Sequence, residues 1–229
     1  MHQGHRNRLK NRFINEGLEN FDHHNILELL LYYAVPQKDT NETAHKLIEH
    51  FGSISEVFDA PVSELMRVSG IGHHSAVLLS IIPQISRIYL TDKSSKSRII
   101  GTKQIADFAA KCFVGMTTEH FLLICVDNRG AMLNYHYISE GVVDGAMVNM
   151  RKIILTLASS NATAAIIAHN HPRNNSKPSR ADLKTTMNIA TALKFVNVKL
   201  LDHVIVGLDG YTSLAENPKM YGCYLNPVL

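Results

Sequence analysis

Ala164-Ala-Ile-Ile-Ala168-His169-Asn170-His171-Pro172, followed after a polar stretch by Pro178-Ser179-Arg180-Ala181-Asp182, is the segment on which the reading of this chain turns. Its first five residues are short, apolar and partly β-branched, the pattern of a buried strand. Side chains two apart on an extended segment point to the same side, so His169 and His171 can aim at one point past the strand's end. Pro172 cannot continue a hydrogen-bonded ladder, and it holds His171 in the extended region. Pro178-Ser179-x-x-Asp182 reads as a helix start, with Ser179 as cap or in the first turn. A His-x-His pair alone is more often a loop feature than a ligand pair. A buried strand, His-x-His-Pro, a seven-residue spacer and Ser-x-x-Asp together are much more specific. Two imidazoles and a carboxylate leave a fourth position for water, the composition of a catalytic rather than a structural zinc site.

His169-x-His171-x7-Ser179-x-x-Asp182 matches the motif of the JAMM (MPN) metalloproteases. Ile166-Ile-Ala-His-Asn-His-Pro172, Pro178-Ser-Arg-Ala-Asp182 and Leu201-Asp-His-Val-Ile-Val-Gly207 together resemble the RadC-like (UPF0758) proteins, and the resemblance covers most of the chain. It implies one Zn2+ per chain on His169, His171 and Asp182. It also implies that Ser179 donates a hydrogen bond to a tetrahedral intermediate and that a glutamate on a neighbouring strand acts as base. The fold it implies is a deaminase-like α/β sandwich. One departure stands out: RadC-like proteins carry Ser-Gly directly after the proline, whereas this chain has Arg173-Asn-Asn-Ser-Lys177. The spacing is kept, so the ligand set is retained while the mouth becomes bulkier and more basic.

The chain has 229 residues, 45% of them hydrophobic, enough for one large or two small globular domains. A net charge of +3 permits nucleic-acid contact without demanding it. Three dispersed cysteines, Cys112, Cys125 and Cys223, form no disulfide framework, and Cys125 sits in an apolar run as plain core. With neither a signal peptide nor a long apolar run, the sequence points to the cytoplasm and to no membrane span.

The chain reads as two domains, 1–96 and 97–229. The first is all-helical. A basic cluster, His2 to Arg12, contains Arg6 and Arg8 and reads either as a solvated helix face or as a phosphate-contacting arm. Helices follow at Ile26–Tyr33, from Asp39-Thr40-Asn41 to Phe51, at Ser53–Phe58, at Pro61–Val68, and from Gly70-Ile71-Gly72 to about Leu90. The two glycines resemble a helix-hairpin-helix, whose hairpin amides approach phosphate; a tight turn in a small bundle is the plainer reading. The region from Gly4 to Gly72 also resembles the N-terminal part of RadC-like proteins. Polar Thr91–Arg98 is the best linker.

The second domain mixes strands and helices: helix 101–112, a hairpin of 119–127 and 131–139, helix 147–160, strand 164–168, helix 179–195, strand 198–207 and a further strand from Tyr211. The whole is therefore α/β (α+β), a small helix-hairpin-helix-like domain followed by a sandwich with a mixed sheet. Two glutamates are candidates for the base. Glu119 starts the first strand, in the place of the family's glutamate relative to the hairpin, and is preferred; Glu140 ends the return strand. His203 and Asp202 are read as core or supporting residues and left out of the ligand set.

The favoured function is a zinc-dependent hydrolase cleaving an amide or isopeptide bond in a peptide or protein. The alternative is a DNA-associated repair or recombination protein, in which the helical domain binds nucleic acid through Arg6, Arg8, Gly70 and Gly72 and the metal site is accessory or nucleolytic. The sequence also admits a homodimer.

Overall fold

The computed structural model describes residues 2–36, 38–94, 101–140 and 148–221. The chain divides into two compact units, Met1–Ser86 and Arg87–Leu229. The boundary expected at 96/97 falls outside the described residues. Thr91–Ser94, read as linker, instead form the last turn of a helix that starts at His73. The end of that helix bonds within the second unit: the Arg87 guanidinium donates to the Val114 carbonyl at 2.8 Å, and Lys111 Nζ to Ser94 Oγ at 3.0 Å.

The first unit is helical: α1 (His2–Glu16), α2 (His23–Ala34), α3 (Asn41–Phe51), α4 (Ile54–Asp59), α5 (Val62–Leu65) and the start of α6 (His73–Ser94). Leu27, Leu31, Leu47, Val57, Leu65, Ile71 and Leu79 form its main core. Glu28 is fully buried, and its carboxylate accepts from the Tyr32 hydroxyl at 2.6 Å and the Asn41 amide at 2.9 Å, with His5 Nε2 also 2.9 Å away. A buried carboxylate without such partners would be strongly destabilising.

Arg6 belongs to the same structural knot. It is buried, and its guanidinium donates to the carbonyls of Val35 (2.6 Å), Pro36 (2.7 Å) and Lys38 while lying 4.6 Å from the Tyr32 ring centroid. The expectation that Arg6 reaches for phosphate is corrected here: its donors close the end of α2. Arg8 is exposed. Gly70 has φ +97°, and a Cβ there would lie 2.5 Å from Thr43 Oγ1, so packing alone requires this glycine.

In the second unit, α7 (Thr102–Cys112) precedes β1 (His120–Val126) and β2 (Met132–Glu140). Then come α8 (Met150–Ser159), β3 (Ala164–Asn170), α9 (Arg180–Phe195), β4 (Lys199–Gly207), β5 (Gly210–Ser213) and α10 (Pro218–Tyr221). The sheet order is β2-β1-β3-β4-β5. Only β3 and β4 run parallel, joined by the α9 crossover; the other pairs are antiparallel. Strand alternation builds two cores. Leu122, Ile124, Val126, Ile166 and Ala168 pack with α7 residues Ile105, Phe108 and Cys112. Phe121, Leu123, Cys125, Ala165 and Ile167 pack with Ile153 and Leu157 of α8 and Ile189 and Leu193 of α9. This is the expected sandwich. Cys125 is core as read, and burial pushes the Cys112 thiol up to about 12. Cys223 lies outside the described residues.

Two strand details matter for the site. β3 runs on through both His169 and Asn170, and β1 begins at His120, so Glu119 sits just ahead of it rather than inside it.

Gly207 ends β4 against the spacer loop. A Cβ there would lie 2.3 Å from the Ser176 nitrogen and 2.5 Å from the Asn175 carbonyl carbon, both backbone atoms. Gly207→Ala is therefore expected to destabilise the fold by about 1–3 kcal/mol, the range for overpacking. Thermal denaturation should show a midpoint several degrees lower, and an unchanged midpoint would contradict the close approach.

Candidate metal centre

His169 and His171 stand at the carboxyl end of β3, where its two neighbours differ in direction, β1 antiparallel and β4 parallel. Open α/β sheets place ligands at such strand ends. Phe121 on β1 pairs in register with His169, and their rings stack in near-parallel planes (10°) with centroids 6.4 Å apart. His169 thus occupies the α8–α9 face of the sheet. The crossover from β3 packs α9 on that face and delivers Asp182 from its first turn.

Ser179 is the N-cap of α9. Its Oγ accepts from the Asp182 amide at 3.1 Å, and its own amide donates to Asp182 Oδ2 at 2.7 Å, a complete capping box. The Asp182 carboxylate is thereby aimed at the histidines. Its Oδ1 lies 3.3 Å from His169 Nε2, and its Oδ2 3.6 Å from His171 Nε2. The two Nε2 atoms are 3.0 Å apart. One ligand atom from each of the three residues falls within 4.8 Å of the other two, so the group could hold a metal ion.

The donor set fits a metal. Two imidazole nitrogens 3.0 Å apart need a proton or a cation between them. His171 Nδ1 already donates to the Asn175 carbonyl at 2.8 Å, so Nε2 is the nitrogen the ring turns toward His169 and Asp182. The His171 pKa is raised, first by the Asp182 carboxylate and against burial, with the Asn175 carbonyl and the Glu119 charge adding to it. Burial alone would raise the Asp182 carboxyl. Hydrogen bonds from His169 and His171 outweigh it and hold the group well below the usual carboxylate range. The site is thus a carboxylate facing two imidazole rings, a donor set suited to a divalent cation.

Of the residues picked out in the sequence, the three ligand candidates converge and Ser179 caps the helix beside them. Glu119 is half-buried and acts electrostatically on His171. Carrying the β1–β3 register two residues beyond Phe121 and His169 puts position 119 opposite position 171. Glu140 closes β2 on the far side of β1, and its side chain lies outside the described residues. Gly70 and Gly72 belong to the helical unit.

Two supporting residues, Asn170 and Thr186, escaped the sequence reading, and a third, His203, was read there only as core or supporting. Asn170, between the ligands, points to the opposite side of β3. Its Oδ1 accepts from the His120 amide at 2.7 Å, and its Nδ2 donates to the Thr118 carbonyl at 3.0 Å, gripping the chain on both sides of Glu119. The signal was a polar residue at the end of a strand buried on both faces, which must find partners. His203 and Thr186 lie behind His169. His169 Nδ1 is 2.8 Å from His203 Nε2, and His203 Nδ1 is 2.5 Å from Thr186 Oγ1. Full burial pushes the His203 pKa well down. Asp202 does not face the ligands. Its carboxylate accepts from the amides of His203 and Ala215 and from the Ser213 hydroxyl.

Residues 99–220 match the RadC-like JAB domain, and residues 2–77 match the UPF0758 N-terminal family. A UPF0758 protein of Fusobacterium nucleatum subsp. nucleatum is 32% identical over 222 residues, spanning 93% of this chain and 96% of that protein. By both measures, the chain belongs to the RadC-like JAB-domain family of UPF0758 proteins.

Proposed function

We propose that this protein is a zinc-dependent hydrolase of JAMM type that cleaves an amide or isopeptide bond in a peptide or protein. The observation that carries the reading is the convergence of His169, His171 and Asp182, one ligand atom each within 4.8 Å. A zinc ion held there would supply a water acidified toward about pH 7 and a Lewis acid for a carbonyl.

The remaining steps belong to the chain's own residues. Glu119 takes the proton from the attacking water and later returns it to the leaving nitrogen. Asn170, gripping residues 118 and 120, limits where that carboxylate can go. The Ser179 oxygen accepts from the Asp182 amide through a lone pair, so its hydroxyl hydrogen is left to donate to a developing oxyanion. Capping and oxyanion stabilisation are compatible in one residue.

The DNA-associated alternative finds less support. Arg6 is committed to carbonyls of its own unit, and Gly70 is required by its contact with Thr43. Among the described residues no helix is long and apolar enough to cross a membrane.

Metal analysis of the purified protein tests the reading. Wild type is expected to carry one zinc per chain, and His169→Ala and Asp182→Ala to carry essentially none. Zinc-free wild type at neutral pH would overturn the proposal.

A peptide-bond substrate screen separates the base from the ligands. Glu119→Gln should keep its zinc and lose about 10²–10⁴-fold in turnover, the usual share of a general base. Turnover equal to wild type would remove Glu119 from the mechanism.

The pH dependence has a definite sign. The raised pKa of His171 makes its pairing with Asp182 stabilise the metal-free fold fully below about pH 6.5, and this is lost as pH rises through the higher folded value. Zinc needs the neutral imidazole, so its stabilisation grows over the same range. Asp182 stays ionised throughout and adds no step there. The difference in melting temperature between zinc-loaded and metal-free protein should therefore widen from pH 5 to pH 8. A constant difference would contradict ligation by His171.

A further inference from the structure

His169 is buried behind the site, and its second nitrogen faces protein rather than water. The Nδ1 contact leads through His203 on β4 to Thr186 on α9, and Thr186 Oγ1 lies 2.6 Å from the main-chain carbonyl oxygen of Asp182. These three contacts, of 2.8, 2.5 and 2.6 Å, are each too short to exist without one hydrogen between the atoms.

The direction of every hydrogen follows from the one end that cannot donate. A carbonyl oxygen only accepts, so the Thr186 hydroxyl hydrogen must point at Asp182; two bare oxygens at 2.6 Å would repel. Thr186 Oγ1 has no other hydrogen and must accept from His203 Nδ1. His203 is fully buried among His169, Thr186 and the Phe121 ring, whose centroid is 5.9 Å away. No carboxylate oxygen lies within hydrogen-bond distance of its ring among the described contacts, so nothing compensates a second proton, and the neutral ring leaves Nε2 bare. His169 Nδ1 must then carry the hydrogen of the last contact, which leaves Nε2, the nitrogen that faces His171 and Asp182, as the atom that would ligate a metal.

We propose that Thr186 and His203 are positioning residues, a hydrogen-bond relay that fixes His169 as its Nδ1–H tautomer and so presets Nε2 as a metal ligand. The proposal rests on the metal reading above and assigns the residues behind it. The relay also closes a loop: it starts at the side chain of one ligand on β3 and ends on the backbone of another on α9, by way of β4. Losing either partner would loosen a ligand that no exposed residue supports.

The test is zinc affinity by chelator competition, combined with 15N NMR of the imidazole nitrogens. Thr186→Val keeps the shape and removes the acceptor; it is expected to bind zinc about 10–100-fold more weakly, the usual effect of losing a residue that orients a ligand. Thr186→Ser restores the hydroxyl and should restore affinity, which a mere packing role would not require. In wild type, NMR should find the proton on Nδ1 of both His169 and His203. Wild-type affinity in folded Thr186→Val, or a His203 protonated on Nε2, overturns the relay. Should Thr186→Val fail to fold, the wild-type tautomers decide alone. A wild-type chain that takes up no zinc overturns the hydrolase reading instead, and the order of hydrogens is then read in the metal-free protein.

Discussion

The site depends on the reciprocal hydrogen bonds between Ser179 and Asp182. Four amides at the start of any helix lack intrahelical partners, and a capping box satisfies two of them. Here that ordinary requirement also orients a ligand: the carboxylate that accepts from the Ser179 amide is the one that faces both histidines. The helix cannot start elsewhere without moving the carboxylate. The site therefore inherits its geometry from the way α9 begins, with no separate scaffold.

The topology supplies the other half. β3 lies in the middle of the sheet, with β1 on one side and β4 on the other. Its side chains alternate between two cores, so His169 and Asn170, adjacent in sequence, serve opposite faces. One face receives α9 and carries the group that could hold a metal ion. The other is where Asn170 holds the chain leading into β1, and that chain carries Glu119. A single strand end thus organises the ligands directly and the candidate base indirectly, through hydrogen bonds to the residues that flank it.

The sequence was most legible where local periodicity and local chemistry coincide. Ala164 to Ala168 read as a buried strand because a run so apolar and β-branched has nowhere else to go. Ser179 and Asp182 read as a helix start because the cap and its partner are three residues apart. Contacts between distant segments left no such mark. His203 and Thr186 are 17 residues apart, and His169 and His203 are 34 apart, so it takes the β3–β4 pairing and the packing of α9 on the sheet to bring them together. Arg6 looked like part of a basic arm because charge is visible in sequence and burial is not. Its role depends on carbonyls about thirty residues on, at the end of α2. Polar Thr91–Ser94 suggested a linker, yet helix and linker share such residues. What settles it is bonding: the Thr91 hydroxyl donates to the Arg87 carbonyl at 2.8 Å, and that of Ser94 to Leu90 at 2.8 Å.

The two histidine ligands are held in different ways, and the difference locates where the site can vary. His169 is set by the core: a paired strand, a stacked phenylalanine and buried partners behind the ring. His171 is partly exposed, and its ring is set by the loop from Pro172 to Pro178, through the Asn175 carbonyl. That loop is fastened largely through its backbone. The Leu208 amide donates to Asn174 at 3.0 Å, and the Ser176 amide to Asp209 Oδ1 at 2.7 Å, over a Gly207 that leaves no room for a side chain. The Ser176 hydroxyl adds a contact to Thr212 Oγ1 at 2.9 Å, and none of these fastenings uses the exposed side chains of Arg173 and Lys177. Side chains at those two positions can differ without moving His171. The basic character of the mouth is thus separable from the geometry of His169, His171 and Asp182.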